Sequence, residues 1–403
     1  MYDLIIIGAG AAGLFASAYA SKYYPERKIL VIEKTGRAGT KLLASGSGQC
    51  NFTHAAPPAE YLPHYGKKGK SLKSVLYHTD YQFLIDFFEQ LGVDSWIRED
   101  GKVFPRSLKA FDVLNALIGA SRGRFIYNTK INGISVFDKY VEIDSSQGMF
   151  QARNVLWACG GKSALGDAFD YDAYRLLEAL GYRIVEPKPA LISPQLLQYK
   201  YACLAGISFT DISMTLIKNQ GKKSFYRGDL LFTHTGLSGP VVIDAARDFE
   251  LGDRLRFNLV GFNNLDRLYE DFVLKMKNNP QKTIKNLLLS YDIPEAVIVA
   301  LMSELSIDRQ LNSHNVRKDK LRALLERLIG LEFEIKGLGD WRKAMATCGG
   351  VDLRDINLKN MRSRLHSSFY FAGEIVDVDG DTGGYNIHFA MGSGRLALDG
   401  MLG

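Results

Sequence analysis

The chain begins with Tyr2-Asp3-Leu4-Ile5-Ile6-Ile7, which leads directly into Gly8-Ala9-Gly10-Ala11-Ala12-Gly13. The apolar run predicts a buried strand, and the glycine-rich segment predicts a tight turn into a helix. A second apolar run, residues 28–32, then ends at Glu33. An acid in this place can accept hydrogen bonds from ribose hydroxyls and repels a 2′-phosphate. The order of strand, turn, helix, strand and acid predicts a dinucleotide site.

The glycines of this first turn have separate purposes. Gly8 permits the tight turn, Gly10 lets a pyrophosphate approach the backbone, and Gly13 lets the helix pack on the strand. The N–H groups at the start of the helix, at Ala11 and Ala12, are expected to face phosphate.

Composition describes an ordinary globular protein. The 403 residues are 46% hydrophobic and 23% charged, which predicts two or three domains with ample core. The formal charge of +6 arises from 50 basic and 44 acidic residues that interleave, so composition does not predict a nucleic-acid partner. Four widely separated cysteines predict neither a disulfide scaffold nor a metal site. With no leader and no membrane span in the sequence, we expect a cytoplasmic protein without a membrane partner.

The pattern changes along the chain. Residues 1–190 alternate strand-like and helix-like segments, residues 191–262 show period-two alternation punctuated by turns, and residues 263–335 have helical periodicity. Glycine-rich α/β character returns in residues 336–403. We therefore predict an α/β fold in which a Rossmann-like domain (1–190 and 336–403) is interrupted by an inserted β-barrel (191–262) and a helical subdomain (263–335).

A second glycine-rich signal lies near the end of the sequence. The strand-like run Phe369–Phe371 leads into Ala372-Gly373-Glu374, and a polar turn then reaches Gly383-Gly384-Tyr385-Asn386-Ile387 at the start of a last helix. FAD extends along the edge of the sheet and needs such a second turn to hold its flavin, whereas NAD does not. A helix N-terminus there would stabilise the negative charge of reduced flavin. The sequence has no second strand-GxGxxG-helix unit, so only transient nicotinamide binding is expected.

The loop from Gly36 to Asn51 follows Glu33 and leaves the sheet at the same edge. Its small residues suit close approach to an isoalloxazine ring, and Lys41 either donates to the flavin or is a solvated surface charge. Cys50 fits a small buried hydrophobic residue better than a redox thiol, because no resolving cysteine is adjacent.

Three further segments are weaker candidates. Ala158-Cys159-Gly160-Gly161 ends a strand and fits either a backbone crossing near the pyrophosphate or a plain strand end. Ile131 occupies a position where FAD proteins often place backbone atoms against adenine, or is a core residue. His234, in the segment 228–240, is either an acid or base on the substrate side or a structural turn residue.

With these motifs in place, the chain resembles the bacterial FAD flavoproteins that include aminoacetone oxidase and bile-acid-pathway reductase-like proteins. The resemblance rests on residues 8–13, 41–51, 101–110, 230–240, 346–351 and 370–386. It implies non-covalent FAD, an FAD domain of the two-dinucleotide-binding type with the same two inserts, and a position beside the flavin for Thr347–Val351.

The sequence departs from the family pattern at two places. The family loop usually reads Ser-Gly-Gly-Gly-Arg-Cys-Asn, whereas this chain has Gln49 before Cys50. After Tyr385-Asn386 the family usually has Gln and an aromatic residue, often Trp, whereas in this chain Ile387 is followed by His388 and Phe389. The first change removes a candidate anion-binding arginine, and the second is compatible with a changed substrate face.

Together these observations predict an FAD-dependent oxidoreductase with a small organic substrate. Amine oxidation with oxygen as acceptor is favoured, NAD(P)H-dependent reduction of an enone is the alternative, and an RNA-binding or RNA-modifying flavoprotein docking through its helical insert is a second one. Lys41 and Tyr385 are the candidate catalytic residues. The predicted cofactor-binding residues are Gly8, Gly10, Ala11, Ala12, Gly13, Glu33, Lys34, Gly39, Lys41, Ser45, Gly46, Cys50, Asn51, Ile131, Ala158, Gly160, Gly161, Thr347, Gly349, Gly350, Gly373, Glu374, Asp381, Gly383, Gly384, Tyr385, Asn386 and Ile387.

Overall fold

The computed structural model describes residues 1–163 and 172–403. They form two compact units, one made of Met1–Ala190 and Asp340–Gly403 and the other of Leu191–Gly339. The two predicted inserts, 191–262 and 263–335, both fall in the second unit.

The strands in chain order are β1 Tyr2–Ile7, β2 Ile29–Ile32, β3 Thr53–His54, β4 Ser95–Ile97, β5 Lys102–Pro105, β6 Arg124–Ile126, β7 Ile131–Val136, β8 Val141–Ser145, β9 Gly148–Trp157, β10 Ile184–Ala190, β11 Gln195–Leu196, β12 Ser208–Ile217, β13 Lys223–Phe232, β14 Leu237–Ser238, β15 Arg254–Asn258, β16 Leu331–Gly337, β17 Ala346–Val351, β18 Ile356–Asn357, β19 Arg362–Ser363 and β20 Phe369–Phe371. The helices are α1 Ala11–Tyr23, α2 Thr40–Ala44, α3 Pro58–Tyr61, α4 Lys73–His78, α5 Tyr81–Gln90, α6 Ala110–Ala120, α7 Asp172–Ala179, α8 Pro240–Ile243, α9 Leu265–Asn278, α10 Ile284–Leu288, α11 Glu295–Glu304, α12 Lys318–Ile329 and α13 Tyr385–Leu402.

The main sheet of the first unit confirms the predicted Rossmann-like arrangement. Its central order is β20-β9-β1-β2-β6, and each of these neighbouring pairs is parallel. Leu4, Ile5 and Ile6 of β1 are completely buried between β2 and β9. Because parallel strands end at one edge, the residues that follow β1, β9 and β20 meet there, at the point where the strand order reverses.

Local sequence explains the surrounding helices, as α5 shows. Asp80 caps this helix by accepting a hydrogen bond from the N–H of Phe83 at 2.8 Å. Its apolar face, which includes Leu84 and Phe88, is buried. The amphipathic spacing of apolar residues over 80–91 predicts a helix here, and α5 confirms it.

The second unit contains an antiparallel sheet in the order β11-β16-β15-β12-β13-β14. The turn-forming sequence of residues 219–222 predicts a hairpin, and the structure confirms it, since these residues join β12 to β13. In the described part of this unit, no ladder pair joins β11 to β14. The helical spacing of apolar residues between 265 and 329 predicts one buried face, and its members are all buried: Leu268, Phe272, Leu287, Leu288, Val297, Leu301, Leu321, Leu324, Leu325 and Leu328.

One boundary differs from the expected one. Residues 331–335 were placed in the helical part, but they belong to β16, which pairs with β15. Leu331, Phe333 and Ile335 are buried while the intervening glutamates are not, and this period of two is a strand pattern. The polypeptide returns to the first unit at Asp340. No helix within the described ranges combines the length and apolarity needed to cross a bilayer.

Candidate functional site

The first turn is built by glycines that are required for two different reasons. Gly8 has φ +102°, and a Cβ there would lie 2.5 Å from the carbonyl O of Ala158. A Cβ on Gly13 would lie 1.9 Å from the carbonyl O of Gly8. A Cβ on Gly10, by contrast, would meet nothing within 4 Å. Packing therefore explains Gly8 and Gly13, whereas Gly10 borders open space that a ligand can enter.

Helix α1 starts at this open position. Gly10 is its N-cap and provides no side-chain cap, and the first intrahelical bond runs from the N–H of Leu14 to the carbonyl O of Gly10 at 2.9 Å. The N–H groups of Ala11, Ala12 and Gly13 therefore have no acceptor within the helix. Their donors and the positive end of the helix dipole suit a pyrophosphate.

Glu33 lies beside the same turn at the end of β2. One carboxylate oxygen accepts the N–H of Ala9 at 2.7 Å, and the other accepts the N–H and hydroxyl of Thr35 at 2.8 and 2.7 Å. The carboxylate is thus fixed beside the first turn. Lys34 is exposed.

The second turn is closed by its own side chains. Gly384 has φ +99°, and a Cβ there would lie 2.6 Å from the carbonyl O of Thr53. The side-chain amide of Asn386 accepts the N–H of Gly380 and donates to its carbonyl O, both at 2.8 Å. Ile387 follows in the first turn of α13.

Packing brings the two glycine motifs together within the first unit. A Cβ on Gly373 would approach the Ala12 Cβ to 2.9 Å, and one on Gly394 would approach the Ala12 carbonyl O to 3.3 Å. The hydroxyl of Ser393 accepts the N–H of Gly373 at 2.9 Å. The start of α1 therefore lies against both the turn after β20 and the last helix.

Lys41 is held in a hydrogen-bond network. Its Nζ donates to Glu374 Oε2 at 2.8 Å, to Ser163 Oγ at 3.1 Å and to the carbonyl O of Gly161. An ammonium group has three donors, and all three are used. The structure thus gives Lys41 a role that the sequence did not predict, as a link between α2 and the segment after β9.

Glu374 is the centre of this network. Its carboxylate also accepts the hydroxyl of Ser163 at 2.7 Å, the N–H of Thr347 at 2.6 Å and the N–H of Gly161 at 3.2 Å. Burial acts to raise the pKa of Glu374, but the Lys41 charge and these hydrogen bonds outweigh burial and lower the pKa below its ordinary value. The carboxylate ties the ends of β9, β17 and β20 together.

Tyr385 is enclosed by aromatic rings at the start of α13. His64 stacks on one side at 4.1 Å between ring centroids and 15° between planes, and His54 stacks at 5.3 Å and 23°. The ring of Tyr61 meets Tyr385 edge-on at 5.2 Å, and the Tyr65 hydroxyl donates to the Tyr385 carbonyl O at 2.9 Å. Tyr385 is only 3% exposed, so it forms the centre of a platform.

His64 is a titratable group of this platform that is more exposed than Tyr385. Its Nδ1 lies 3.0 Å from Asp381 Oδ2, and its carbonyl O accepts the N–H of Asp381 at 2.9 Å. The imidazole side chain is 38% exposed. Sequence reasoning missed His64, because nothing in its own neighbourhood shows that Asp381 and Tyr385 will be beside it.

Comparison with known proteins is consistent with this site. Residues 2–400 match the family described as HI0933-like protein Rossmann domain. The chain belongs to this family. Its fold is also that of a 3-ketosteroid delta1-dehydrogenase from Sterolibacterium denitrificans, with a TM-score of 0.52, 12% identity and 99% of each chain covered.

Two curated relatives match over nearly their full lengths. A protein of Haemophilus influenzae named ribosomal RNA dihydrouridine synthase is 29% identical over 96% of both chains. A protein of Clostridium scindens named 3-dehydro-bile acid delta(4,6)-reductase is 25% identical over 97% of both chains. The chain is an FAD-dependent oxidoreductase, and its open first turn fits the ADP half of FAD.

His388, which departs from the usual family residue, is a buried structural group. Its Nε2 lies 2.9 Å from the carbonyl O of Thr79 and its Nδ1 lies 2.7 Å from Thr53 Oγ1. The carbonyl can only accept, so the ring proton is at Nε2 and Thr53 donates to Nδ1. Burial lowers the pKa of His388 to about 4.

The loop that departs from the family pattern at Gln49 packs beneath both turns. The N–H of Gly39 donates to the Ala9 carbonyl O at 2.8 Å, and Asn51 Nδ2 donates to the carbonyls of Thr53 and Val103, both at 2.9 Å. These bonds connect the loop to the first turn and to the strand beside the second turn.

Other predicted loop residues have local roles. The hydroxyl of Ser45 donates to the Leu42 carbonyl O at 2.6 Å, and Gly46 has φ +54°. Cys50 is completely buried, and burial raises the pKa of its thiol to about 12. The thiol therefore stays protonated and fits the expected buried role.

The glycines of β17 and the segment after β9 are required by packing. A Cβ on Gly349 would lie 2.7 Å from the Glu186 carbonyl O, and one on Gly350 would lie 2.5 Å from the Ile375 carbonyl O. Gly160 has φ +71°. These positions let strands approach closely, and they do not by themselves identify a ligand.

Two weaker candidates fall in different places. Ile131 is 9% exposed and begins β7, two residues after Thr129, whose N–H donates to the Glu33 carbonyl O at 3.0 Å. His234 is exposed in the second unit, in a turn closed by bonds from Thr233 to Gly236. Ile131 thus lies near the predicted ribose site, and the surroundings of His234 are those of a structural turn.

Proposed function

We propose that this flavoprotein reduces a carbon–carbon double bond conjugated to a carbonyl group. The observation that carries this proposal is the near full-length likeness to two relatives whose names describe the same chemistry. Dihydrouridine is uridine with a saturated C5–C6 bond beside its C4 carbonyl, and a delta(4,6)-reductase acts on double bonds conjugated to a 3-keto group. The proposal corresponds to the reductase alternative of the sequence analysis.

The overall reaction adds a hydride to the β-carbon and a proton to the α-carbon while NAD(P)H becomes NAD(P)⁺. FAD, when bound, supplies the step that accepts a hydride from the donor and passes one to the substrate. The chain must bind the cofactor, hold its two ends and provide the proton.

Residues of the first turn are proposed to bind the ADP half of FAD. The N–H groups at the start of α1 suit the pyrophosphate, and Glu33 suits the adenosine ribose. Gly383 and Gly384 at the start of α13 are proposed to hold the flavin end, where the helix dipole stabilises negative charge. The Lys41–Glu374 pair joins the ends of β9, β17 and β20 at the edge of the sheet.

His64 is proposed to supply the proton. Its Nδ1 is held by Asp381 and its ring rests on Tyr385, so the imidazole is oriented as a positioned acid would be. All three N–H donors of Lys41 bond to protein groups, and Tyr385 is enclosed. The His64 side chain is more exposed than either of these two residues.

Stopped-flow measurement of the two half-reactions tests the proposal. We expect NADH or NADPH to bleach the flavin, and a 3-keto-4-ene steroid or a uridine-containing RNA transcript to reoxidise it without oxygen. Mass spectrometry of the product would show the gain of two hydrogen atoms. Bleaching by small amines, with no response to either nicotinamide, would overturn the proposal.

That contrary result would instead support amine oxidation, which the sequence analysis favoured. Neither relative named above carries a name that describes amine oxidation. The sequence gives no residue that distinguishes the two reactions, because the same dinucleotide motifs serve both.

A further inference from the structure

We propose that a row of three lysines beside the second turn binds the phosphate backbone of an RNA substrate. The row consists of Lys67, Lys70 and Lys73, and we call it the lysine row. This inference rests on the proposed function, since it assigns the conjugated double bond to a uracil base carried by a polynucleotide.

The segment that contains the lysine row is unlike the rest of the chain in its charge. Residues 61–79 contain four lysines and two histidines and no aspartate or glutamate. Over the whole chain basic and acidic residues interleave, so the total charge of +6 hides this exception. A local cluster of cations is the electrostatic footprint of a nucleic-acid site.

Backbone geometry aligns the three lysines. Residues 62–72 form 3₁₀ turns interrupted at Tyr65 and Gly66, and α4 begins at Lys73. Side chains three residues apart in a 3₁₀ helix eclipse one another and advance by about 6 Å. Lys67, Lys70 and Lys73 therefore form a line whose spacing is comparable with that of adjacent phosphates in a single strand.

The opposite face of the segment anchors it to the site. Gly69, Leu72 and Val75 are buried, and a Cβ on Gly69 would lie 1.8 Å from the Leu62 carbonyl O. Since this buried set also recurs every three residues, the lysine row must point away from the core. All three lysines are exposed.

Lys68, in the same segment, differs from the lysine row because it has carboxylate partners. Lys68 forms ion pairs with Asp377 and Asp379. Within the described chain, by contrast, none of the three lysines of the row has a carboxylate oxygen within 4.0 Å. Their charges are available to an external anion.

The row is also positioned for base recognition. Tyr77 is 57% exposed and follows Lys73 by four residues in α4, so both side chains share one helix face. An exposed aromatic ring next to phosphate-binding cations is a stacking platform for single-stranded RNA. His64, three residues before the row, contacts Tyr385 at the second turn. A strand bound along the row therefore passes close to the proposed flavin end.

The test compares two triple variants of the full-length holoprotein. Lys67→Gln/Lys70→Gln/Lys73→Gln neutralises the lysine row. Lys277→Gln/Lys282→Gln/Lys318→Gln removes the same charge from exposed positions of the second unit, where the sequence analysis placed an alternative RNA-docking surface. Binding of a fluorescein-labelled, uridine-rich single-stranded RNA is measured by anisotropy over a salt series. FAD content and flavin reduction by NADPH are measured on each protein.

We expect the row variant to bind RNA roughly 10- to 100-fold more weakly at low salt and to lower the slope of log K against log salt by about 2. The second-unit variant should bind like the unchanged protein. Equal loss in both variants, loss only in the second-unit variant, or no loss in the row variant would overturn the assignment.

Two further outcomes separate this inference from the proposed function. If the unchanged protein reduces the steroid enone but binds no RNA, the lysine row is not an RNA site while the reductase proposal stands. If the protein binds RNA through the row but reduces neither substrate, the reductase proposal fails. Vesicles containing phosphatidylserine are assayed in parallel, and row-dependent binding to them without RNA binding would assign the row to a membrane surface instead.

Discussion

The two glycine turns of the first unit differ in what fills them. At the first turn, Gly10 borders open space and the donors at the start of α1 have no partner within the helix. At the second turn, Tyr385 is packed among His54, His64 and Tyr61. Backbone N–H groups thus face open space at one end, whereas packed aromatic side chains form a platform at the other. The difference teaches that similar glycine-rich sequences can serve recognition or support.

The strongest test of this contrast replaces His64 by Phe. Phenylalanine retains the stack on Tyr385 but cannot carry a proton, so we expect substrate reduction to fall by about 10²- to 10⁴-fold. Flavin reduction by NADPH should be nearly unchanged, and rapid-mixing kinetics measure the two half-reactions separately. If His64→Phe reoxidises with an enone at the original rate, the proton comes from another group.

Two substitutions in the first turn separate packing from ligand recognition. Gly13→Ala places a Cβ 1.9 Å from the Gly8 carbonyl O, and we expect a loss of about 3 kcal/mol or more in the free energy of unfolding. Gly10→Ala meets nothing in the protein, so we expect the apoprotein to lose about 1 kcal/mol or less. Its FAD affinity should nevertheless fall, by about tenfold or more, since the methyl group occupies the path of the pyrophosphate.

Chemical denaturation of the apoproteins and FAD titration check these two expectations together. Equal FAD affinity in Gly10→Ala and the unchanged protein would show that the first turn is not the ADP site.

The platform of the second turn should depend on pH through His388. Its pKa of about 4 lies below the ordinary 6.5, so the unfolded chain binds the proton more tightly. Stability should therefore fall as pH drops from about 6.5 to 4, by about 3 kcal/mol. His388→Gln can keep both hydrogen bonds without titrating, and should remove this part of the pH dependence. Urea denaturation at several pH values measures it, and parallel curves for both proteins would contradict the assignment.

A smaller effect is expected at Glu374, which joins the ends of β9, β17 and β20. Glu374→Gln leaves the Lys41 charge without its partner, and we expect a loss of about 2 kcal/mol at neutral pH. Since the folded pKa of Glu374 is lowered, its stabilisation is present above the unfolded pKa and disappears as pH falls through the folded pKa. The difference between the variant and the original should shrink in acid. Glu89→Gln, at an exposed position of α5, is the matched control. An equal loss of unfolding free energy in Glu89→Gln would show that the bonds of Glu374 do not account for the effect.

The first turn could be predicted from sequence because its determinants are contiguous. Gly8, Gly10, Gly13 and Glu33 all lie in one strand-turn-helix-strand segment, so their spacing can be read in the sequence even though Gly8 also packs against Ala158. The return at Gly383 and Gly384 could be predicted for the same reason. The leucine pattern of α9 to α12 likewise follows from local helical spacing.

The rest depends on contacts between distant segments. The orientation of His64 depends on its contact with Asp381, and that of Lys41 depends on its bond to Glu374. The partners in each pair are more than three hundred residues apart in the sequence. The substitution at His388 was visible in the sequence, but its bonds to Thr53 and Thr79 required the packing of α13. The lysine row could not be predicted from the sequence. Alignment of Lys67, Lys70 and Lys73 requires a 3₁₀ helix, and no sequence pattern indicates one there.

The late position of β20 has a consequence for biosynthesis. This strand completes one side of β9. The turn after it brings Gly373 against Ala12 of α1 and Glu374 against Lys41 and Thr347. During translation, β1, β2 and β9 can assemble long before these residues leave the ribosome. A nascent chain that ends before residue 369 therefore holds the first turn without the strand and turn that pack against it. Stable capture of the cofactor should require the synthesis of β20 and the turn that follows it.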